Sequence, residues 1–341
     1  MRITPELLIR IARDTVNQRT RADRDVLAVY LHGSLLTQEP LLGGATDIDL
    51  FFIHSNGGQT PREIVRMTDD VHLDIAHHSR AHYRQTRELR LDPWLGSAIN
   101  GCKILYDPHH FIDFTQASVR GHFNDPENIL ARAQKQARRA RSIWLNFQME
   151  PIKTGMHSAQ LFLEAVEQAG NALACLTGPP LPIRRFTNEF AGRAQALGRA
   201  GLYPGLLGLL GAAELQVDQL QHWLPEWQTA IQALPKHIAG ARLHPHRIHY
   251  YRSAIEEALA GEQPFACLWP LLSTWSEAIS NLEQDEQTTT TWHTSMQQIG
   301  LIGERFFEKL DALDAYLDLM EETIEDWAKA HGVGESGDFQ I

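Results

Sequence analysis

Positive charge is what this sequence most lacks. Its 341 residues carry 31 Lys and Arg against 42 Asp and Glu, a formal net charge of -11. A nucleic-acid backbone is gripped by a concentrated Lys/Arg surface that releases counterions, so nucleic acid is not an expected principal partner. Cysteine is scarce too. Cys102, Cys175 and Cys267 stand far apart and are odd in number, which suits neither a disulfide framework nor a thiolate zinc site. A reducing, cytoplasmic setting is the expectation. Nowhere do about 18 consecutive apolar residues occur, as a membrane span would need. Met1-Arg2-Ile3-Thr4-Pro5-Glu6 turns acidic before any long apolar run, unlike an export signal. No repeat of fixed period is visible, and only the tail from 332 to 338 reads as loose.

What is present fits an ordinary globular chain: 43% of residues are apolar and 21% charged, enough burial to outweigh chain entropy. At roughly 150 residues per domain the length suits two domains. Thr4-Pro5 predicts a helix start, with Leu7, Leu8, Ile11 and Ala12 at helical spacing, and the charged stretch from 19 to 25 predicts its end. Val26-Leu27-Ala28-Val29-Tyr30-Leu31 predicts a buried strand, 47–54 a second strand and Val71-His72-Leu73-Asp74-Ile75 a third with alternating faces. Cys102-Lys103-Ile104-Leu105-Tyr106 predicts a later one. Between the second and third, Thr60-Pro61-Arg62-Glu63 has the form of a capping box and predicts a helix. After Asp125-Pro126, Ala, Leu, Gln and Glu dominate. Helices are expected near 126–149, 157–177, 187–199, 211–233, 246–260, 265–283 and 301–329, parted by breaks such as Gly178-Pro179-Pro180. The expected fold is therefore α+β: an N-terminal domain with a mixed sheet and helices over 1–120, and an all-α domain over 121–341.

Asp47 and Asp49 lie two apart on an apolar strand, so both carboxylates leave the same face, roughly 7 Å apart along the chain. Like charges so placed need compensation, which Mg2+ with its preference for oxygen ligands supplies. Asp74 occupies the polar register of the third strand, where it completes the metal set or assists deprotonation. Gly33-Ser34 ends the first strand. A glycine there lets a phosphate approach the backbone, and amides and the Ser hydroxyl donate to it. One or two Mg2+ bridging phosphate oxygens and an incoming hydroxyl suit an in-line displacement at phosphorus, with pyrophosphate leaving.

Leu31-His32-Gly33-Ser34, twelve intervening residues, Asp47-Ile48-Asp49-Leu50 and then Asp74 together resemble the signature of the polymerase-beta-type nucleotidyltransferase superfamily. The resemblance covers about the first 110 residues. It implies a nucleotidyltransferase catalytic domain followed by a helical substrate-binding domain, as in kanamycin nucleotidyltransferase and other antibiotic-modifying or minimal nucleotidyltransferases, with the site in the cleft between them. It implies ATP, or another nucleoside triphosphate, as donor and a hydroxylated small molecule as acceptor. The helix containing Glu164-Ala165-Val166-Glu167-Gln168-Ala169-Gly170 is similar to the one that carries the acceptor's general base in the kanamycin-modifying enzymes. By that likeness Glu167 is the base, with Glu164 in reserve on the same face. Asn171 departs from the pattern, standing where those enzymes have a Lys near the phosphates. Arg184, Arg185 and Lys103 are then the candidate cations for the triphosphate.

Other residue types take simpler readings. His77-His78, His109-His110 and the stretch from His244 to His249 lack the three- or four-ligand spacing of a zinc site. Trp144, Trp223, Trp227, Trp269 and Trp275 lie in apolar helical segments, where packing is the default. Two other functions remain open: a transferase that modifies a protein or RNA, as in toxin–antitoxin pairs, and a non-catalytic nucleotide-binding regulator. Monomer and homodimer are both compatible with the sequence.

Overall fold

A computed structural model of the chain describes residues 3–56, 60–149, 153–235, 240–282 and 286–333. Most of the tail expected to be loose, 334–338, lies outside the described residues. The chain divides into two compact units: Met1–Asn124 with His246–Ala254, and Asp125–Pro245 with Ile255–Ile341. Among the described residues the strands form one five-stranded sheet in the first unit, and the second is helical, an α+β chain. The stretch 246–254, which the sequence reading assigns to the helical part, packs with the sheet.

Helix α1 (Pro5–Ala22) starts as its sequence dictates, with the Thr4 hydroxyl accepting from the Leu7 amide at 3.3 Å and Pro5 in the first turn. It ends at Ala22, inside the charged stretch expected to end it and one turn into it, where Arg19 is anchored by two hydrogen bonds to Glu63, at 2.9 and 3.0 Å. The strands are β1 (Val26–His32), β2 (Thr46–His54), β3 (Arg62–Arg66), β4 (Val71–Ser79) and β5 (Lys103–Tyr106), in the order β3-β4-β2-β1-β5. Only β2 and β4 are parallel among these pairs. Since side chains alternate across a sheet, Leu31, Ile48, Leu50, Phe52, Leu73 and Ile75 form one face, packed with Leu8, Ala12 and Val16 of α1. Ala28, Tyr30 and Ile53 form the other, covered by α2 (Thr86–Leu91), α3 (Leu95–Gly101) and α4 (Phe111–Phe123) through Leu89, Ile99, Ile112 and Val119.

One expected element is overturned. The segment after Thr60-Pro61 is not a helix but the strand β3, paired antiparallel to β4 with Ile64 opposite Asp74. The capping-box signal is local, and the ladder to β4 outweighs it. Glu63, the residue that would reach back to cap a helix, instead binds Arg19 and accepts a 2.7 Å contact from His77 Nε2.

In the second unit the helices are α5 (Pro126–Met149), α6 (Met156–Cys175), α7 (Phe186–Ala196), α8 (Leu202–Leu209), α9 (Val217–Ala233), the remainder of α10 (Ile248–Ala260), α11 (Leu268–Ser280), α12 (Glu286–Gln298) and α13 (Phe306–Ala330). Helix α6 is apolar nearly all round and buried accordingly. Gly170 lets it approach α7: a Cβ there would stand 2.4 Å from the Phe186 ring. Trp223, Trp227, Trp269 and Trp275 are core residues, as expected of them, and Trp227 donates to Thr274 at 2.8 Å. Half-buried Trp144 donates to the Leu310 carbonyl at 3.3 Å. Helices α8 and α12 were not anticipated, because glycines in one and a threonine run in the other hide them from propensity.

The β2 core face holds the strand that carries the acidic pair. Leu50→Ala, at a fully buried position, is expected to cost about 2–5 kcal/mol, read as a lower urea midpoint with unchanged slope.

Candidate metal centre

The parallel pairing of β2 with β4 sets Asp49 directly opposite Asp74 and Asp47 opposite His72. Partners in register share a face, so all three carboxylates project from the helix-covered face of the sheet, at the end opposite Phe51 and Ile53. One ligand oxygen from each of Asp47, Asp49 and Asp74 lies within 4.8 Å of the others, the one such group of three or more His, Cys, Asp or Glu among the described residues. Asp47 and Asp74 are buried and Asp49 is half-buried. Among the described residues no histidine cluster forms a comparable set.

Gly33 closes the site from β1. Its φ of +88° favours glycine, and a Cβ there would fall 1.9 Å from Asp49 Oδ2. The glycine thus lets the turn lie directly against the carboxylate. Ser34 opens the short 3-10 turn that follows, its hydroxyl 3.3 Å from that of Thr46, the residue before Asp47. His32 pairs with Asp49 across the strands. Burial pushes its pKa down to about 4, so it brings no positive charge to the carboxylates.

Two arginines not selected from the sequence bring that charge. Arg62 of β3 grips Asp74 with two hydrogen bonds, Nε to Oδ1 at 2.5 Å and Nη2 to Oδ2 at 2.7 Å. Arg247, from the segment that joins this unit late in the chain, donates from Nη2 to Asp47 Oδ2 at 3.0 Å and also to Asp74 Oδ2. Its Nε donates to His72 Nε2 at 3.2 Å, which places the His72 proton on Nδ1. Burial works against the charge of both arginines, and Asp74 foremost outweighs it, so both are held more firmly protonated than usual. Three carboxylates against two guanidiniums still leave a formal excess of one negative charge. Asp49 bears it: burial first, then Asp47 and Asp74, push its pKa well above the ordinary value against the pull of Arg247 and Arg62.

The segment is seated by fit. The turn before β2 carries Gly43 at φ +60°, and a Cβ there would stand 2.2 Å from the Ser253 carbonyl oxygen. Tyr250 lies under the Arg247 guanidinium at 5.4 Å and edge-on to His72 at 4.9 Å.

Lys103, alone of the remaining sequence candidates, belongs to the unit that holds this cluster. Lys103 is opposite Leu31 in the β1–β5 pairing, which aims it to the sheet face opposite the carboxylates. Arg184, Arg185, Glu164 and Glu167 belong to the helical unit. There Arg185 pairs with Glu189 at 3.1 Å and Arg184 is buried. Glu164 accepts from Arg139 Nε at 2.8 Å. Glu167 has its pKa raised, by burial first and then by Glu164 and Glu277, with Arg242 opposing. Asn171 is structural: its Oδ1 accepts from the Leu181 amide at 2.7 Å. No signal in the sequence near residue 247 marks that arginine, since its partners lie 173 and 200 residues away.

Two outcomes follow from this geometry. Gly33→Ala is expected to cost more than the 1–3 kcal/mol of a strained backbone alone, because the methyl collides with Asp49, and to abolish Mn2+ binding, read by thermal melts and calorimetry. A carboxyl whose pKa is raised on folding holds its proton more tightly in the folded state. The stability it contributes is therefore present below the ordinary carboxylate range and lost as pH rises through the raised value. In chelator, wild type is expected to lose Tm over that rise, and Asp49→Asn to lose distinctly less. Equal pH slopes would contradict the charge assignment. Searches against protein-family models and curated proteins find no match for this chain.

Proposed function

We propose that the protein is a metal-dependent nucleotidyltransferase, moving a nucleoside monophosphate, AMP from ATP foremost, to a hydroxyl of a small-molecule acceptor with release of pyrophosphate. The observation that carries this reading is the set of three carboxylate oxygens within 4.8 Å against a glycine turn that only a residue without Cβ can form. An all-carboxylate donor set fits a hard cation such as Mg2+ better than zinc or copper. Asp47, Asp49 and Asp74 would hold one or two such ions. When bound, Mg2+ supplies Lewis-acid stabilisation of charge on the phosphoryl oxygens and a template for in-line displacement.

The chain's own residues supply the rest. Gly33 and Ser34 border the carboxylates with a turn narrow enough for a phosphate to approach backbone, and the Ser34 hydroxyl is a donor beside it. Arg62 fixes the Asp74 carboxylate by two bonds, which orients the ligand as an outer-shell partner does. The candidate acceptor base remains Glu167: its raised pKa moves it toward the range where a carboxylate both takes and returns a proton effectively. Glu164, committed to Arg139, is the weaker candidate. The formal charge of -11 supports a small-molecule acceptor over RNA.

Incubation with ATP, Mg2+ and a panel of hydroxylated acceptors is expected to release pyrophosphate and to label a small molecule. Asp49→Asn should lower turnover by about a hundredfold or more, about 2.7 kcal/mol in barrier. Equal turnover in wild type and Asp49→Asn would overturn the assignment. Label found solely on macromolecules would transfer the acceptor to protein or RNA.

A further inference from the structure

A cation is already built into the carboxylate cluster. Arg247 Nη2 spans Asp47 Oδ2 and Asp74 Oδ2, the first at 3.0 Å, and it is no stray surface contact. The side chain is buried, its Nε is engaged by His72 at 3.2 Å, and the Tyr250 ring lies 5.4 Å away. The backbone that carries it sits against Gly43 so closely that no other residue fits there.

A carboxylate oxygen has a limited number of lone pairs, and a guanidinium N–H and a metal compete for them. Asp74 is heavily used, with Arg62 on both oxygens and Arg247 on one. A divalent ion bridging Asp47 and Asp74 must bond at about 2.0–2.1 Å if it is Mg2+, in the gap where the Arg247 N–H now lies. It would also repel a guanidinium left in contact, the more strongly for being out of water. Asp49 takes a hydrogen bond from neither arginine.

We infer that Arg247 is the resident counter-cation of the cluster and that a divalent metal displaces it from Asp47 and Asp74, so that arginine pairing and metal loading are alternative states of one site. This rests on the metal reading proposed above. Arg247 thereby sets the metal concentration at which the site loads: Asp47 and Asp74 have a cationic partner in either state, and the ion must outcompete a tethered guanidinium. Arg62, which also holds Asp74 Oδ1, keeps that bond in both.

Calorimetric titration of the full chain with Mn2+ alone tests this. Arg247→Gln removes the competitor and is expected to bind Mn2+ about tenfold more tightly than wild type or better, a gain of about 1.4 kcal/mol, and to gain more Tm on Mn2+ addition. Tyr250→Leu keeps the guanidinium but removes its platform, and is expected to tighten Mn2+ severalfold. If Arg247→Gln fails to fold in chelator, the Tyr250→Leu titration decides: tighter binding supports displacement, and equal or weaker binding overturns it. Wild type binding Mn2+ with Arg247→Gln equal or weaker overturns the displacement and leaves the metal centre standing. If neither binds Mn2+, or if Asp49→Asn binds as wild type does, the metal centre itself falls and the displacement with it.

Discussion

Repulsion among three carboxylates gathered at one end of a sheet is the constraint on which the first unit is organised. Charges at such separation in partial burial are tolerated only with compensation. The β2–β4 register creates the problem by placing Asp49 across from Asp74. Edge strand β3 and the late segment 246–254 answer it with a guanidinium each. The remaining excess falls on Asp49, the residue that lies against the glycine turn. A site balanced in this way is poised to take up positive charge, and a polyphosphate could approach it only with such charge in place.

Strand β2 shows how one stretch of nine residues serves both core and chemistry. Its even-numbered residues Ile48, Leu50 and Phe52 anchor it to α1. Its odd-numbered residues change from Asp47 and Asp49 at one end to Phe51 and Ile53 at the other, where Phe51 stacks on Tyr30 at 4.8 Å. Past that apolar end the strand is tied again by polar contacts, His54 to His77 at 2.8 Å and His77 to Glu63 at 2.7 Å. Asp47 and Asp49 therefore sit on a strand held by core packing and by polar contacts, as a precisely spaced ligand set requires.

Much of this was legible because the relevant signals are local. The β2 alternation, the Asp47–Asp49 spacing, the glycine after β1 and the Thr4 cap are all read within a few residues. Asp74 was legible because its strand alternates. Failures came where distant contacts decide. Thr60-Pro61-Arg62-Glu63 has a helix start's chemistry, yet β4 recruits it as a strand. Lys103 looked like a phosphate cation by type, and its register with Leu31 turns it to the wrong face. Arg62 lay concealed within the misread helix. Arg247 lay in a histidine-rich stretch, and nothing nearby tells that its partners are in the first 74 residues. Charge compensation for a buried cluster is a property of the folded chain and leaves no periodic trace.

The first unit is not one continuous piece of chain, since His246–Ala254 returns to it after the helical stretch from Asp125 to Pro245. Cutting the gene after residue 124 would thus sever Asp47 and Asp74 from one of their two neutralising side chains and leave Gly43 facing an empty seat. The acidic centre is assembled from two stretches of chain with most of a helical unit between them, so its charge balance does not travel with residues 1–124 alone.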